Sequence, residues 1–151
     1  MTIQDQVVGA ICCWREARNG GTPGMQSILN VLVNRATKKH TSVYEEALRP
    51  EQFSSMTSPG DPELGIGPNA LNAPDWNAFS VALSLATQAA ADSLPDITGG
   101  ATLYYDPKGL ATGTTVPYTL PDGTVTVFPA RWRQAAVTYR CTIDGQFFFS
   151  E

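Results

Sequence analysis

The amino-acid sequence predicts an α+β fold, mainly helical in its N-terminal two-thirds, with short antiparallel strands in its C-terminal third. Up to about residue 92, apolar residues recur every three or four positions, which is the period of a helix. After Thr98-Gly99-Gly100, apolar and polar residues alternate, and two turn signals of the hairpin type follow. The 151 residues contain neither an internal repeat nor a linker, so we expect one domain.

The first helix is predicted from about Gln4 to Arg18. Its apolar side comprises Ile3, Val7, Ile11 and Trp14, with Val8 and Cys12 beside them. The sequence Asn-Gly-Gly at 19–21 is expected to end this helix, because glycine readily adopts the left-handed conformation that closes a helix.

A second helix is predicted to begin at Thr22-Pro23, since proline is tolerated at the first helical position. Its apolar side comprises Met25, Ile28, Leu29, Leu32 and Ala36. The opposite side carries Gln26, Asn30 and Asn34 at intervals of four. This spacing is typical of a solvent-exposed face and would also suit the lining of a polar groove.

A short third helix is expected at Ser42, because Glu45, three residues later, can complete a capping box. Pro50 ends it. Residues 54–74 hold four prolines and three glycines without periodicity, which predicts a long loop of the kind that is often functional. A fourth helix is predicted from about Asp75 to Asp92. Its apolar side comprises Trp76, Phe79, Leu83, Ala86 and Ala90.

The last third is predicted to consist of strands. The segment "ATLYY" at 101–105 is typical of a strand, and Val116 to Phe128 of a hairpin that turns at Pro121-Asp122-Gly123. The segments "VTYRCTI" and "QFFFS" flank Asp144-Gly145, a strong signal for a two-residue hairpin turn. In "VTYRCTI" the apolar residues alternate with Thr and Arg, which is the pattern of a half-buried strand.

The charge and hydropathy of the chain exclude several classes of function. A net charge of −4 argues against nucleic-acid binding, because such proteins place Lys and Arg against phosphates. The basic run Lys38-Lys39-His40 is interpreted as a solvated helix end. No stretch approaches the roughly 18 apolar residues of a membrane span, and the first ten residues lack the pattern of a signal peptide. We therefore expect synthesis in a cytoplasm and no membrane insertion.

The cysteine and histidine content argues against metal and disulfide chemistry. With one histidine and neither a CxxC nor an HExxH spacing, we expect no metal and no cofactor. The three cysteines, two of them adjacent, are expected to be reduced. Cys12 or Cys13 with His40 would form the nucleophile pair of a cysteine amidase or peptidase. Both cysteines lie within a helix, however, rather than at its N-terminus, so buried packing is the favoured interpretation.

Glu16 stands near the end of the first helix, one turn after Cys12 and next to small apolar residues. An ionised carboxylate is costly in such a place unless it is paired, and an ion pair with Arg15, Arg18 or Arg35 is the structural interpretation. The functional interpretation uses the same free-energy cost of burying an ionised carboxylate. Withdrawal from water favours a protonated carboxyl group, which can then act as a general acid.

Five segments resemble, in order, the cell wall hydrolase family typified by the spore cortex-lytic enzyme SleB. They are "EARNGGTPGMQSILNVLVNR" at 16–35, "PEQFS" at 50–54, "DITGGATLYYDP" at 96–107, "PARW" at 129–132 and "IDGQFFF" at 143–149. Each segment is weak alone, but together they extend over nearly the whole chain. The resemblance implies a single lysozyme-like catalytic domain without a separate wall-binding domain. It also implies cleavage of peptidoglycan between N-acetylmuramic acid and N-acetylglucosamine, usually as a lytic transglycosylase.

In that family the glutamate of the EAR motif is catalytic, and it corresponds to Glu16. It would donate a proton to the leaving glycosidic oxygen and then, as a carboxylate, take the proton of the muramic C6 hydroxyl, which closes a 1,6-anhydro ring. A hydrolytic muramidase would instead need a second carboxylate at a set distance. Asp61, Glu63 and Asp106 are available, but none matches a family position, and surface solvation explains them.

The resemblance also implies a sugar-binding groove. Its substrate-binding residues would be Gln52, Ser54, Tyr104, Tyr105 and Gln146, the last at a position where the family often has histidine. Hydrogen bonds would orient the N-acetyl and hydroxyl groups, and a tyrosine ring would stack on a sugar. Asn34 and Arg35 are expected to support the groove or Glu16, with structural hydrogen bonding as the favoured role. Phe53 is expected in the core.

These expectations together indicate a monomeric phage endolysin whose partner is peptidoglycan. It would be made in the host cytoplasm and would reach the wall after a holin opens the membrane. The alternatives are a lysin carried in the virion and a non-catalytic module for wall binding or virion structure.

Overall fold

The computed structural model describes residues 1–50, 52–64 and 73–151. It is a mixed α+β structure with helices in the N-terminal part and antiparallel strands in the C-terminal part, which confirms the predicted class. The chain divides into two compact units, a helical unit at Met1–Ile97 and a strand unit at Thr98–Glu151. The single lysozyme-like domain stays a prediction.

The helices of the described residues are α1 at Ile3–Ala17, α2 at Gly21–Lys39, α3 at Val43–Ala47, α4 at Ser54–Thr57 and α5 at Ala73–Ala90. Except for α4, which falls within the expected loop, these helices lie close to their predicted positions. The predicted capping box of Ser42 and Glu45 begins α3. A second capping box, which pairs Thr2 with Asp5, begins α1. Within the described residues, no helix has both the length and the apolar character to cross a membrane.

The buried side of α1 consists largely of small residues. It comprises Asp5, Gly9, Ala10, Cys12, Cys13, Trp14 and Ala17. The predicted apolar side is wrong at its start, because Ile3 is 80% exposed and Val7 is 41% exposed. Gly9 gives the physical reason. A Cβ atom there would lie 3.1 Å from Cγ1 of Val43 and 3.3 Å from Cδ1 of Leu29, so α3 and α2 approach α1 at its smallest residue.

The amide side chains of α2 bind another segment of the helical unit. The predicted apolar side of α2 is buried. On the other side, the Gln26 side chain donates to the Pro95 carbonyl at 2.9 Å. The Asn34 side chain donates to the carboxylate of Asp96 at 3.1 Å. The Asn30 side-chain oxygen accepts from the Ile97 N–H at 3.1 Å. This side is therefore not a bare solvent face. The Asn34 amide makes a hydrogen bond within the helical unit, and its expected role in supporting the groove or Glu16 stays a prediction.

The segment from Ser54 onward is less irregular at its start than predicted. The first four residues of the expected loop form the single turn of α4, while residues 65–72 of that loop lie outside the described residues. The buried residues of α5 include Phe79, Ala82, Leu85 and Ala86. Trp76 and Leu83, predicted on the apolar side, are 48% and 36% exposed.

The strand unit contains two antiparallel sheets. The strands are β1 at Leu103–Tyr105, β2 at Thr115–Thr119, β3 at Val125–Pro129, β4 at Thr138–Ile143 and β5 at Gln146–Ser150. One sheet has the order β1-β5-β4, and the other pairs β2 with β3. Asp144 and Gly145 connect β4 to β5 with φ values of 51° and 76°, which confirms the predicted hairpin turn.

The core of the strand unit is aromatic. Tyr105, Phe128 and Phe149 are buried together, and Tyr118 and Trp132 pack against them. The predicted hairpin at 116–128 is confirmed, since β2 and β3 pair in register around the turn at 121–123. It contributes Phe128 to this core.

Candidate active site

Glu16 lies in the last turn of α1, and its side chain is half-buried. Ser55 of α4 holds one of its carboxyl oxygens. The Ser55 hydroxyl donates to Oε1 at 2.5 Å, and the Ser55 N–H donates to the same atom at 3.2 Å. Ser55 itself is 2% exposed. The carboxyl group is therefore neither fully solvated nor free to rotate.

The position of Ser55 in α4 explains this contact. The first N–H groups of a helix have no acceptor inside it, so they need one from elsewhere. Ser55 is the second residue of α4, and Glu16 supplies the acceptor. Phe53, fully buried as expected, anchors the chain just before α4.

The two hydrogen bonds distinguish the oxygens of Glu16. A backbone N–H can only donate, so Oε1 is the accepting oxygen in both protonation states. A protonated Glu16 therefore carries its proton preferentially on Oε2. This arrangement suits a group that donates and later accepts a proton at one defined atom.

Arg18, one of the three arginines considered as a partner for Glu16, binds other carboxylates. It pairs with Glu63 through both terminal nitrogens, one of them at 3.0 Å from Oε1, and with Asp75 at 3.4 Å. These contacts raise the pKa of Arg18. The guanidinium also lies 4.8 Å from the centre of the Trp14 ring.

Arg15 and Arg35 lie near the Glu16 end of the site. Arg15 Nη1 donates to the backbone carbonyl of Ser55 at 3.1 Å. Arg35 is buried, and its guanidinium lies 5.1 Å from the centre of the Phe53 ring. Arg35 is thus part of the core next to Phe53, and its expected supporting role stays a prediction.

Cys12 and Cys13 are fully buried on α1, which confirms the packing interpretation. Burial raises the pKa of the Cys12 thiol well above its usual value, and the negative charge of Glu16 raises it further, against the opposing effect of Arg35 and Arg15. Burial raises the pKa of Cys13 to about 12. None of the three cysteines forms a disulfide within the described residues. Neither buried thiol supplies the thiolate that a cysteine amidase would need.

The expected substrate-binding residues of the helical unit flank the buried Phe53. Gln52 is half-buried and Ser54 is exposed. The serine that contacts Glu16 is Ser55, which was not among the predicted site residues. The sequence signal for it is only its place in the Ser-Ser pair after Phe53, and that pair does not indicate which hydroxyl faces α1.

The remaining expected substrate-binding residues belong to the strand unit. Tyr105 is 6% exposed, and its hydroxyl donates to the carbonyl of Val127 at 2.7 Å. Burial also raises its pKa to about 12. Because Tyr105 is buried in the aromatic cluster of the strand unit, it is a core residue, in contrast to the expected substrate contact. Tyr104 is half-buried, and its ring stacks on Phe148 with 5.9 Å between centres. Gln146 is half-buried at the start of β5.

The three carboxylates considered as a second catalytic group have structural partners. Glu63 binds Arg18, and Asp61 accepts from the Glu63 N–H at 2.9 Å. Asp106 is exposed and accepts from the Lys108 N–H at 2.8 Å. Within residues 1–50, 52–64 and 73–151, no group of three or more His, Cys, Asp or Glu side chains is arranged to hold a metal ion.

Comparison with known proteins found no matching family model, no similar curated protein and no similar solved structure. Functional inference therefore depends on the chemistry of the site and on the sequence resemblance.

Proposed function

We propose that this protein cleaves the glycan strands of peptidoglycan between N-acetylmuramic acid and N-acetylglucosamine, as a lytic transglycosylase with a lysozyme-like domain. One observation carries the proposal: Glu16 is a half-buried carboxyl group whose Oε1 accepts two hydrogen bonds from Ser55. The resemblance of the EAR segment to the cell wall hydrolase family supports the choice of substrate.

In the first step, Glu16 acts as a general acid. Its Oε2 proton passes to the oxygen that links C1 of the muramic residue to the N-acetylglucosamine residue, and the bond from C1 to that oxygen breaks. The leaving sugar departs with a hydroxyl group, and C1 acquires the character of an oxocarbenium ion. Glu16 is then a carboxylate.

In the second step, the same carboxylate acts as a general base. Oε2 takes the proton of the C6 hydroxyl of the same muramic residue while that oxygen bonds to C1 and closes the 1,6-anhydro ring. No water is consumed, and Glu16 recovers its proton. The Ser55 donors stabilise the intermediate carboxylate, because hydrogen bonds to an ionised acceptor are stronger than those to a neutral one.

The biological setting is part of the same proposal. A peptidoglycan-cleaving enzyme made in a host cytoplasm meets its substrate once a holin opens the membrane, so we assign the protein as a monomeric endolysin.

The test is the Glu16→Gln variant, which keeps the shape of the side chain and removes its acid proton. We expect its rate of release of soluble muropeptides from purified peptidoglycan to fall about a thousandfold. Asp106→Asn is the matched control, because Asp106 is an exposed carboxylate that was considered as a second catalytic group. It should retain activity, and thermal unfolding should show that both variants are folded.

Mass spectrometry of the products identifies the reaction. Muramic ends lighter by one water indicate the anhydro ring, whereas reducing muramic ends would make the protein a muramidase. Free stem peptides, or full activity of Glu16→Gln, would overturn the proposal. Wall binding by the wild-type protein without any cleavage would instead support a non-catalytic module.

A further inference from the structure

The helix that presents Ser55 to Glu16 is not stable on its own. α4 is a single turn, and its N-cap residue Phe53 makes no side-chain capping hydrogen bond. The Ser54 carbonyl accepts from the N–H of Ser58 at 2.9 Å, as in a regular helix. The corresponding donor for the Ser55 carbonyl would be residue 59. That residue is Pro59, which has no N–H.

Arg15 supplies the missing donor. Its Nη1 donates to the Ser55 carbonyl at 3.1 Å and lies 3.8 Å from the sulfur of Met56. Arg15 and Glu16 are neighbours on α1. Two consecutive residues of one helix thus bind Ser55 at its carbonyl, its N–H and its hydroxyl.

We infer that Arg15 is a positioning residue for Glu16, acting through Ser55. By fixing the Ser55 carbonyl, Arg15 sets the direction of the Ser55 N–H and hydroxyl, and these fix the Glu16 carboxyl group. The catalytic consequence rests on the proposed function, but the link from Arg15 to Glu16 does not.

The first test measures the effect of Arg15 on the hydrogen bond between Ser55 and Glu16, and it needs no substrate. Because the Ser55 N–H donates to Glu16, its amide chemical shift in two-dimensional NMR spectra should respond to the Glu16→Gln substitution, which replaces the accepting carboxyl group with a neutral amide. In Arg15→Met, which keeps a long apolar side chain, we expect the amplitude of this response to fall by about twofold or more as the hydrogen bond lengthens. Arg15→Lys should retain part of it.

The matched control is Arg18→Met. Arg18 lies on the same stretch of chain, is half-buried like Arg15 and binds Glu63 and Asp75 rather than Ser55. The amplitude of the Ser55 response should therefore be unchanged in this variant. An equal loss in both variants would show general destabilisation and would overturn the inference.

The second test measures kcat and KM for the cleavage of peptidoglycan. We expect Arg15→Met to lower kcat about tenfold and to leave KM within about twofold, because the geometry of the acid changes while substrate contacts do not. In a Ser55→Ala background the same substitution should cost less, since the hydroxyl that Arg15 directs is absent. Equal losses in the two backgrounds would show that Arg15 does not act through Ser55.

The outcomes separate the two proposals. An unchanged Ser55 response in Arg15→Met overturns the positioning role, whatever the activity. A lost response together with full activity of Glu16→Gln leaves the link in place and overturns the proposed function. If Arg15→Met does not fold, Arg15→Lys takes its place in the same comparison with Arg18→Met. A wild-type Ser55 response and a wild-type kcat in Arg15→Lys would show that the guanidinium group of Arg15 is not required.

Discussion

Replacing Ser55 with alanine removes one of the two donors to Glu16 and leaves the other in place. The hydroxyl donates at 2.5 Å and the N–H at 3.2 Å, so the shorter contact is lost. A hydrogen bond to a charged group contributes about 1.5–3 kcal/mol net, and a value of about 2 kcal/mol corresponds to about a thirtyfold change in rate. We expect kcat of Ser55→Ala to fall by that factor.

The assay is the rate of release of soluble muropeptides from purified peptidoglycan, with kcat and KM determined separately below the unfolding temperature of each variant. Ser55 is buried, so we expect it to make no contact with the substrate and KM to change little. Ser54→Ala is the informative comparison. Ser54 is exposed and is expected to contact the substrate, so its loss should raise KM by about fivefold, equivalent to about 1 kcal/mol, and leave kcat unchanged.

A wild-type kcat for Ser55→Ala would refute the view that this hydroxyl orients the acid. The same conclusion would follow if Ser54→Ala, rather than Ser55→Ala, lowered kcat. Either result would make the contact at 2.5 Å merely structural, and the second would place the functional serine one residue earlier.

Two further predictions concern stability. Burial raises the pKa of Glu46, but hydrogen bonds from Arg49 and Lys39 outweigh burial and leave it below its ordinary value. The Glu46 carboxylate therefore stabilises the fold fully above about pH 4.3, the ordinary pKa of glutamate, and this stabilisation is lost as the pH falls through the lowered pKa of the folded state. Glu46→Gln should lower the free energy of unfolding by about 2 kcal/mol at neutral pH and by less in acid. Urea unfolding measures both values. Tyr105→Phe removes the hydrogen bond to the Val127 carbonyl and should cost about 1 kcal/mol in the same measurement without changing KM. A raised KM at full stability would restore Tyr105 as a substrate contact.

The parts of the fold that the sequence predicts well depend on local chemistry. The Ser42–Glu45 capping box and the Asp144-Gly145 turn each involve residues that are neighbours along the chain, so their geometry follows from residue type alone. The buried side of α1 is different. Its centre is Gly9, against which two other helices pack, and a search for large apolar residues therefore selects Ile3 and Val7 on the wrong side.

The candidate site also contains features that the sequence predicts and features that it does not. Glu16 is recognisable from its apolar neighbours and from the EAR motif, but the partner of its carboxyl group lies 39 residues further along the chain. The residues of β1 point to alternate faces, so one of Tyr104 and Tyr105 must be more buried, and the sequence does not tell which. The amide side chains of α2 illustrate the same limit, because the segment that they bind lies more than 60 residues away.

Arg15 and Glu16 are neighbours in the sequence, and consecutive residues on a helix point about 100° apart. Both side chains nevertheless contact the same residue, Ser55, which offers a carbonyl to the cation and two donors to the carboxylate. Pro59 leaves that carbonyl open to the cation, so a residue outside the site determines which partner Ser55 can accept. The orientation of the acid thus depends on a turn of helix that is completed by the side chain next to it.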